Sequence, residues 1–251
     1  VTLSPKPGCE PFSREGGPLG ALVLHGFTSC PGSVRTLAER FASSGYAVEL
    51  PRLPGHGTTI DDLIASTWAD WAATAEESYD RLVARCERVG VVGLSLGGGL
   101  AAHVAEVRAG VGACVLINPI VKPPPADLRE GVEALVEAGV DRIDGIGADI
   151  KLEGADGWAY DTVPLTPLRS LVEGIEGVYE RLGAIAAPIL LLTSREDHVV
   201  TWDNGTDLVE RVKGPVDWTW LENSYHVATV DNDRELVEAL SVDFLGRVLA
   251  A

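Results

Sequence analysis

Cysteine is scarce in this chain. Its 251 residues hold four, Cys9, Cys30, Cys86 and Cys114, widely spread and with no C-x-x-C pair. Zinc ligands come at short, fixed spacings, so no metal site is expected. A domain of this length buries enough apolar surface to fold without covalent staples. The thiols are therefore expected to be free, as in a reducing compartment, and the protein cytoplasmic. Positive charge is also short. Twenty Lys and Arg stand against 37 Asp and Glu, a net charge of −17. Nucleic acid and anionic membrane surfaces repel such a chain, so no nucleic-acid partner is expected. No apolar run reaches the roughly 20 residues that a membrane-crossing helix needs, so no stable membrane insertion is expected. The opening stretch, "VTLSPKPGCEPFSREGG", lacks an apolar h-region and is not read as a signal peptide. Methionine is absent altogether, which carries no functional reading, and there are no internal repeats.

What is present is an alternation of short aliphatic runs and helical patterns. "LGALVLH" (19–25), "YAVEL" (46–50), "RVGVVGL" (88–94), "GACVLIN" (112–118), "APILLLTS" (187–194) and "VDWTWLE" (216–222) read as strands. Helical patterns at 33–45, 68–89, 96–109 and 233–249 separate or follow them. Continuous apolar strands between helices mean a mostly parallel central sheet covered on both faces, the α/β class. Residues 119–170 break the rhythm with a proline run, weak helical periodicity and no strand. They are expected to form a small, mostly helical cap inserted into a single domain. The core is then built from residues 1–118 and 171–251.

One stretch carries chemistry. "VVGLSLGGGL" (91–100) places Gly93, Ser95 and Gly97 in a G-x-S-x-G pattern between an apolar strand and a helix. This is the context of a nucleophile elbow. The glycines let strand and helix backbones approach, and the turn lifts the serine hydroxyl above the sheet. The helix N-terminus behind it favours a developing anion. The same pattern arises by chance in a glycine-rich turn with an incidental serine, so the partners decide. A serine hydroxyl needs a base, and the base needs an orienting acid. Of five histidines, only His226 lies in a loop after the last strand and before the final helix. Asp197 lies in a polar turn directly after the strand at 187–194, with Glu196 as the rival acid. The order Ser95, Asp197, His226 suits a triad in which His226 takes and returns the serine proton and Asp197 holds its tautomer. His25 is expected to brace the loop after its strand, and His56 to sit in a turn near the site rim. His103 reads as a packed or solvated helix residue, and His198 as a poor orienting partner for its neighbour.

Two backbone N–H groups should stabilise the tetrahedral intermediate, those of Leu96 and of Phe27 in "HGFTSCPGS". The Phe27 ring is also a candidate pocket wall. In the cap stretch, Val132, Leu135, Val136, Val140, Ile143, Ile146 and Ile150 recur at roughly helical spacing. Ile146 is the candidate for the wall of an apolar acyl tunnel, the alternative for any of these being plain core packing.

Taken together, "LHGFTSCPGS", "LPRLPGHGT", "GLSLGG", "EDHVV" and "NSYHVATVD" make this chain resemble the small bacterial carboxylesterases and monoacylglycerol lipases of the α/β-hydrolase fold. The similarity runs over nearly the whole chain. It implies hydrolysis of short to medium acyl esters, monoacylglycerols included, with no cofactor and with a small ester or lipid as partner. It also implies the roles above for Ser95, Asp197, His226, Phe27 and Leu96. In monoacylglycerol lipases of this kind an acidic cap residue contacts the glycerol hydroxyls. The matching position here is Gly157, with Asp156 beside it as a substrate-binding candidate. Thioester or C–C bond hydrolysis and acyl transfer on the same fold remain open. A non-catalytic binding module is disfavoured by the retention of all three triad residues. The oligomeric state is open between monomer and dimer.

Overall fold

Aliphatic and β-branched residues build the sheet. In the computed structural model, which describes residues 4–145 and 147–250, β1 (Phe12–Arg14) is followed by β2 (Leu19–Leu24), α1 (Arg35–Ser43), β3 (Ala47–Leu50), α2 (Ile60–Ile64) and α3 (Trp68–Val83). Then come β4 (Arg88–Leu94), α4 (Leu96–Val107), β5 (Val111–Ile117), α5 (Ala126–Glu137), β6 (Arg142–Asp144), β7 (Thr162–Pro164) and α6 (Leu165–Arg181). The chain closes with β8 (Ile189–Ser194), α7 (Asp203–Arg211), β9 (Val216–Leu221) and α8 (Arg234–Leu249). Seven strands form one sheet in the order β1-β3-β2-β4-β5-β8-β9. All its pairings are parallel except the antiparallel edge pair of β1 with β3.

Successive strand side chains point to opposite faces, so each aliphatic run feeds two cores. On one face Leu22, Leu24, Val91, Leu116 and Leu191 pack with Trp71, Leu100 and Ile175 from the helices. On the other, Val23, Val92, Val115 and Leu192 pack with Leu37, Phe41, Phe244 and Leu245. Trp71 and Phe41 are fully buried. Cutting a buried leucine here to alanine would cost about 2–5 kcal/mol, the usual charge for lost transfer energy plus a cavity. The strand order reverses between β2 and β4, with β3 to one side and β5 to the other. Such a reversal opens a crevice at the carboxyl ends of the strands, where ligands bind. The loops after β2 and β4 are the ones that carry Phe27 and Ser95.

Between β5 and α6 the chain leaves the main sheet. The expectation of no strand in 119–170 is corrected: β6 and β7 form a separate antiparallel pair, with Ile143 opposite Val163. Three residues per strand are too few for a period-2 signal to show. Helix α6 begins in this stretch and continues to Arg181, burying Leu171, Ile175 and Val178. Strand β1 and helices α2 and α7 were also not read from the sequence. No described helix is long and apolar enough to cross a membrane.

The cysteines correct a second expectation. Cys9 and Cys30 are joined in a disulfide, their Cα atoms 5.2 Å apart. Among the described residues only Cys86 and Cys114 are free. The pairing is spatial and has no local signal. The N-terminal segment folds back, with Lys6 N–H bonded to the Gly57 carbonyl at 2.8 Å. At Gly57, with φ of 67°, an added Cβ would lie 2.6 Å from the Cys9 Cβ and 3.0 Å from that of Cys30. The disulfide also joins the two sides of a slot for Trp158. A Cβ at Gly8 would come within 2.3 Å of that indole, and one at Gly32 within 2.5 Å. The reason for expecting a reducing compartment goes with the free thiols on which it rested.

Candidate active site

Ser95 follows β4 directly and caps α4, in a left-handed conformation with φ of 57°. That strain is held by its surroundings. Ser95 N–H donates to the Ile117 carbonyl at 3.0 Å, and its carbonyl accepts from Gly99 and Ile120. The flanking glycines are obligatory. A Cβ at Gly93 would sit 2.0 Å from the Gly97 carbonyl oxygen, and one at Gly97 2.1 Å from that of Leu24. The backbones of β4, α4 and the end of β2 therefore meet only because these side chains are missing.

His226 and Asp197 arrive from the loops after β9 and β8. His226 Nδ1 lies 2.7 Å from Asp197 Oδ2, and both side chains are almost wholly buried, at 9% and 2% exposure. The other oxygen of Asp197 accepts N–H bonds from Val199 and Val200, each 2.8 Å. With both oxygens engaged, the carboxylate is held in orientation. Glu196, the rival acid, instead pairs with Lys151 at 3.1 Å and is exposed. Ser95 and His226 line the same cavity of about 550 Å³. Phe27, Leu128, Ile143, Val163, Leu168 and Val199 give it an apolar wall.

Leu96 opens α4, so its N–H has no acceptor within the helix. Phe27 faces the cavity in the loop after β2, and a Cβ on its neighbour Gly26 would lie 3.6 Å from the Ser95 Cβ. Both residues thus lie beside the serine, Leu96 as its neighbour in the chain and Phe27 in the lining of the same cavity.

A family model described as the alpha/beta hydrolase family matches residues 21–239. The chain belongs to the alpha/beta hydrolase family. This hydrolase is 38% identical over 243 residues to a protein named thermostable monoacylglycerol lipase, from Bacillus sp. (strain H-257), covering 96% of this chain and 95% of that one. It is 27% identical to a carboxylesterase of Bacillus subtilis (strain 168), covering 95% and 97%. A solved structure from work on the metagenome-derived lipolytic enzymes LipS and LipT superposes with a TM-score of 0.92 at 37% identity, covering 97% of this chain and all of that one.

The remaining histidines of the hydrolase fall into place around the site. His25 is fully buried. Its Nε2 accepts the Leu53 N–H at 3.1 Å and its Nδ1 donates to the Gly26 carbonyl at 3.0 Å. Burial drives its pKa down to about 4 against the pull of the Gly26 bond, so it is a neutral brace for the loop that carries Phe27. His56 does not sit at a rim. It is buried against Trp71 and His25, with ring centroids 5.4 and 5.1 Å away. His103, on α4, meets Glu76 of α3 at 2.9 Å, and neither lines the cavity that holds Ser95.

Two substrate-binding candidates fare differently. Ile146 lies outside the described residues. Asp156 is exposed and does not line the cavity, its carboxylate accepting the Trp158 N–H at 2.7 Å. An Asp two residues before a free N–H closes its own turn, and this local bond outcompetes a reach into the pocket. Gly157 does line the cavity. A Cβ there would lie 2.0 Å from that of Ala148.

Sequence reasoning missed the residues that knit these loops together. Asn118, at φ of 42°, accepts the Ser194 N–H at 2.7 Å and donates to the His226 carbonyl at 2.8 Å. Asp231, 3% exposed, accepts N–H bonds from Lys151, Leu152 and Tyr225. Asp149 accepts from both His226 and His198. Asn118, before a proline at a strand end, had a turn signal that could have flagged it; the two aspartates had none.

Proposed function

We propose that this hydrolase cleaves carboxylic esters through an acyl-enzyme on Ser95. The observation that carries this reading is the buried His226–Asp197 pair opening on the cavity that also presents Ser95 at its strained turn. His226 removes the Ser95 proton as the hydroxyl oxygen attacks the ester carbonyl. The N–H groups of Phe27 and Leu96 receive the negative charge. His226 then returns the proton to the departing alcohol, and water repeats the sequence to release the acid. Asp197 keeps Nδ1 protonated and stabilises the imidazolium. No cofactor takes part.

Residues 119–170 act as the cap, and the apolar wall takes the acyl chain. A volume of about 550 Å³ is within the range of small-molecule sites. The substrates are monoacylglycerols or short-to-medium acyl esters, a choice supported by the names of the relatives that span the chain. The alcohol side is permissive. Gly157 presents no side chain, Asp156 is engaged with Trp158, and the Ser29 hydroxyl is engaged with the Gly157 carbonyl at 3.0 Å.

A fluorophosphonate should label Ser95, and Ser95→Ala should lower kcat by about 10⁴-fold or more with the fold intact. Activity retained in that variant would refute the mechanism. Comparing kcat/KM for 1-monolaurin and methyl laurate tests the alcohol side. Similar values are expected, whereas a strong glyceride preference would show buried hydrogen bonds to glycerol that this reading omits.

A further inference from the structure

Asp149 lies in the cap stretch, lines the cavity and is nearly buried, with 12% of its side chain exposed. Its Oδ2 accepts the main-chain N–H of His226 and that of His198, each at 3.1 Å. Its Oδ1 lies 2.8 Å from His198 Nδ1. Its own carbonyl accepts the Val227 N–H at 3.1 Å. One residue therefore holds the backbone on both sides of the His226 ring bond, and also grips the residue after Asp197. Asp231 stitches the same seam from the other side, taking the N–H groups of Lys151 and Leu152 at 2.7 and 2.8 Å and that of Tyr225 at 2.9 Å.

We propose that Asp149 is a positioning residue, a latch that sets the spacing between Asp197 and His226 and ties it to the seating of the cap. This rests on the triad reading above. The chemistry explains why a carboxylate is needed. Three donors converge on two acceptor oxygens, and an amide would offer one oxygen and turn an N–H toward a donor. A shift of even about 1 Å in a catalytic pair is enough to lose much of the rate.

The latch is also sensitive to pH. His198 is exposed and packs edge-on to Tyr225, with ring centroids 4.6 Å apart. The hydrogen bond that its ring donates to Asp149 raises its pKa, with smaller contributions from the charges of Asp149, Asp197 and Glu196. Lys151, also at this seam, is occupied by Glu196 and stands over the Tyr225 ring, and Asp231 adds negative charge from the loop after β9. A histidine with a raised folded pKa contributes its ion pair below that pKa and loses it as pH rises through it. The latch loosens on the alkaline side.

The test measures kcat and KM for 4-nitrophenyl butyrate across pH, per active site titrated with a fluorophosphonate, in wild type, Asp149→Asn, Asp149→Ala and His198→Ala, with Ser95→Ala alongside. Both Asp149 variants should lose about tenfold or more in kcat with KM little changed. Wild type should show an alkaline decline in kcat, and His198→Ala should lose less activity and lack that decline. Counting titrated sites removes any loss that is only misfolding. If Asp149→Ala does not fold, the near-isosteric Asp149→Asn decides. Wild-type kcat per site in the Asp149 variants would overturn the latch, and a His198→Ala profile superimposable on wild type would overturn its pH sensitivity. Activity in Ser95→Ala would instead overturn the triad reading itself, so the two failures are distinguishable.

Discussion

Replacing both Cys9 and Cys30 by serine probes a covalent bond that closes a loop spanning 21 positions. In the chain-entropy treatment the open chain gains about 2.1 + 1.5R ln n cal/mol/K, which for this loop is roughly 11 cal/mol/K, or about 3 kcal/mol at 25 °C. The crosslink joins the N-terminal segment to the turn after the Phe27 loop, and Trp158 is held between glycines on both sides of it. The full entropic penalty should therefore be felt. For a chain of this size about 1 kcal/mol moves the melting midpoint by roughly 2–4 °C, so the double variant should melt roughly 6–12 °C below the oxidised wild type. Adding dithiothreitol to wild type should bring its midpoint to that of the variant, and should leave the variant unmoved. Differential scanning calorimetry with and without reductant reads all four conditions. The argument fails if the variant melts within about 2 °C of wild type, or if thiol titration of the native, non-reduced protein finds Cys9 and Cys30 free.

Two further outcomes follow from buried groups. Glu106 has a fully buried side chain facing Arg181 at 3.4 Å, and burial pushes its carboxyl up to about 8 against the pull of Arg181. The folded state therefore keeps a proton that the unfolded chain gives up in the ordinary carboxyl range. Stability falls as pH rises between those two values and levels above the higher one. Glu106→Gln should melt higher than wild type by a margin that grows from about pH 5 to about pH 9 in thermal scans, and a margin independent of pH would refute this. Gly157→Ala should lower both stability and activity, because its Cβ would lie 2.0 Å from that of Ala148. Adding Ala148→Gly should restore much of each; no restoration in the double variant would count against the contact as the cause.

The placement of Ser95, Asp197 and His226 at strand ends was legible for a shared reason. Each follows an apolar strand at its carboxyl end, and glycine or polar turn residues mark the point where the chain leaves the sheet. The parallel pattern was legible because buried strands read as unbroken aliphatic runs, as in β4 and β8. Strands β1, β6 and β7 were not, since three residues carry no measurable period. Asp149, Asp231 and the Cys9–Cys30 pair were hidden for another reason. Their roles exist only where segments distant in sequence meet, and a single chain has no local mark for such a meeting. His56 was misplaced on the same ground: a glycine-rich turn reads as surface, but the ring folds inward onto Trp71.

The left-handed backbone at Ser95, with φ of 57°, bears on how such a protein changes over generations. A residue with a Cβ carries about 1–3 kcal/mol of strain in so sparsely populated a conformation, and glycine carries much less. Judged by folding alone, position 95 favours glycine. If Ser95 is the nucleophile, as proposed above, the hydroxyl is kept against a standing pull toward a more stable, inactive protein. A lineage released from the need to hydrolyse esters would drift first at this position, and a screen rewarding heat resistance without turnover would find the same change.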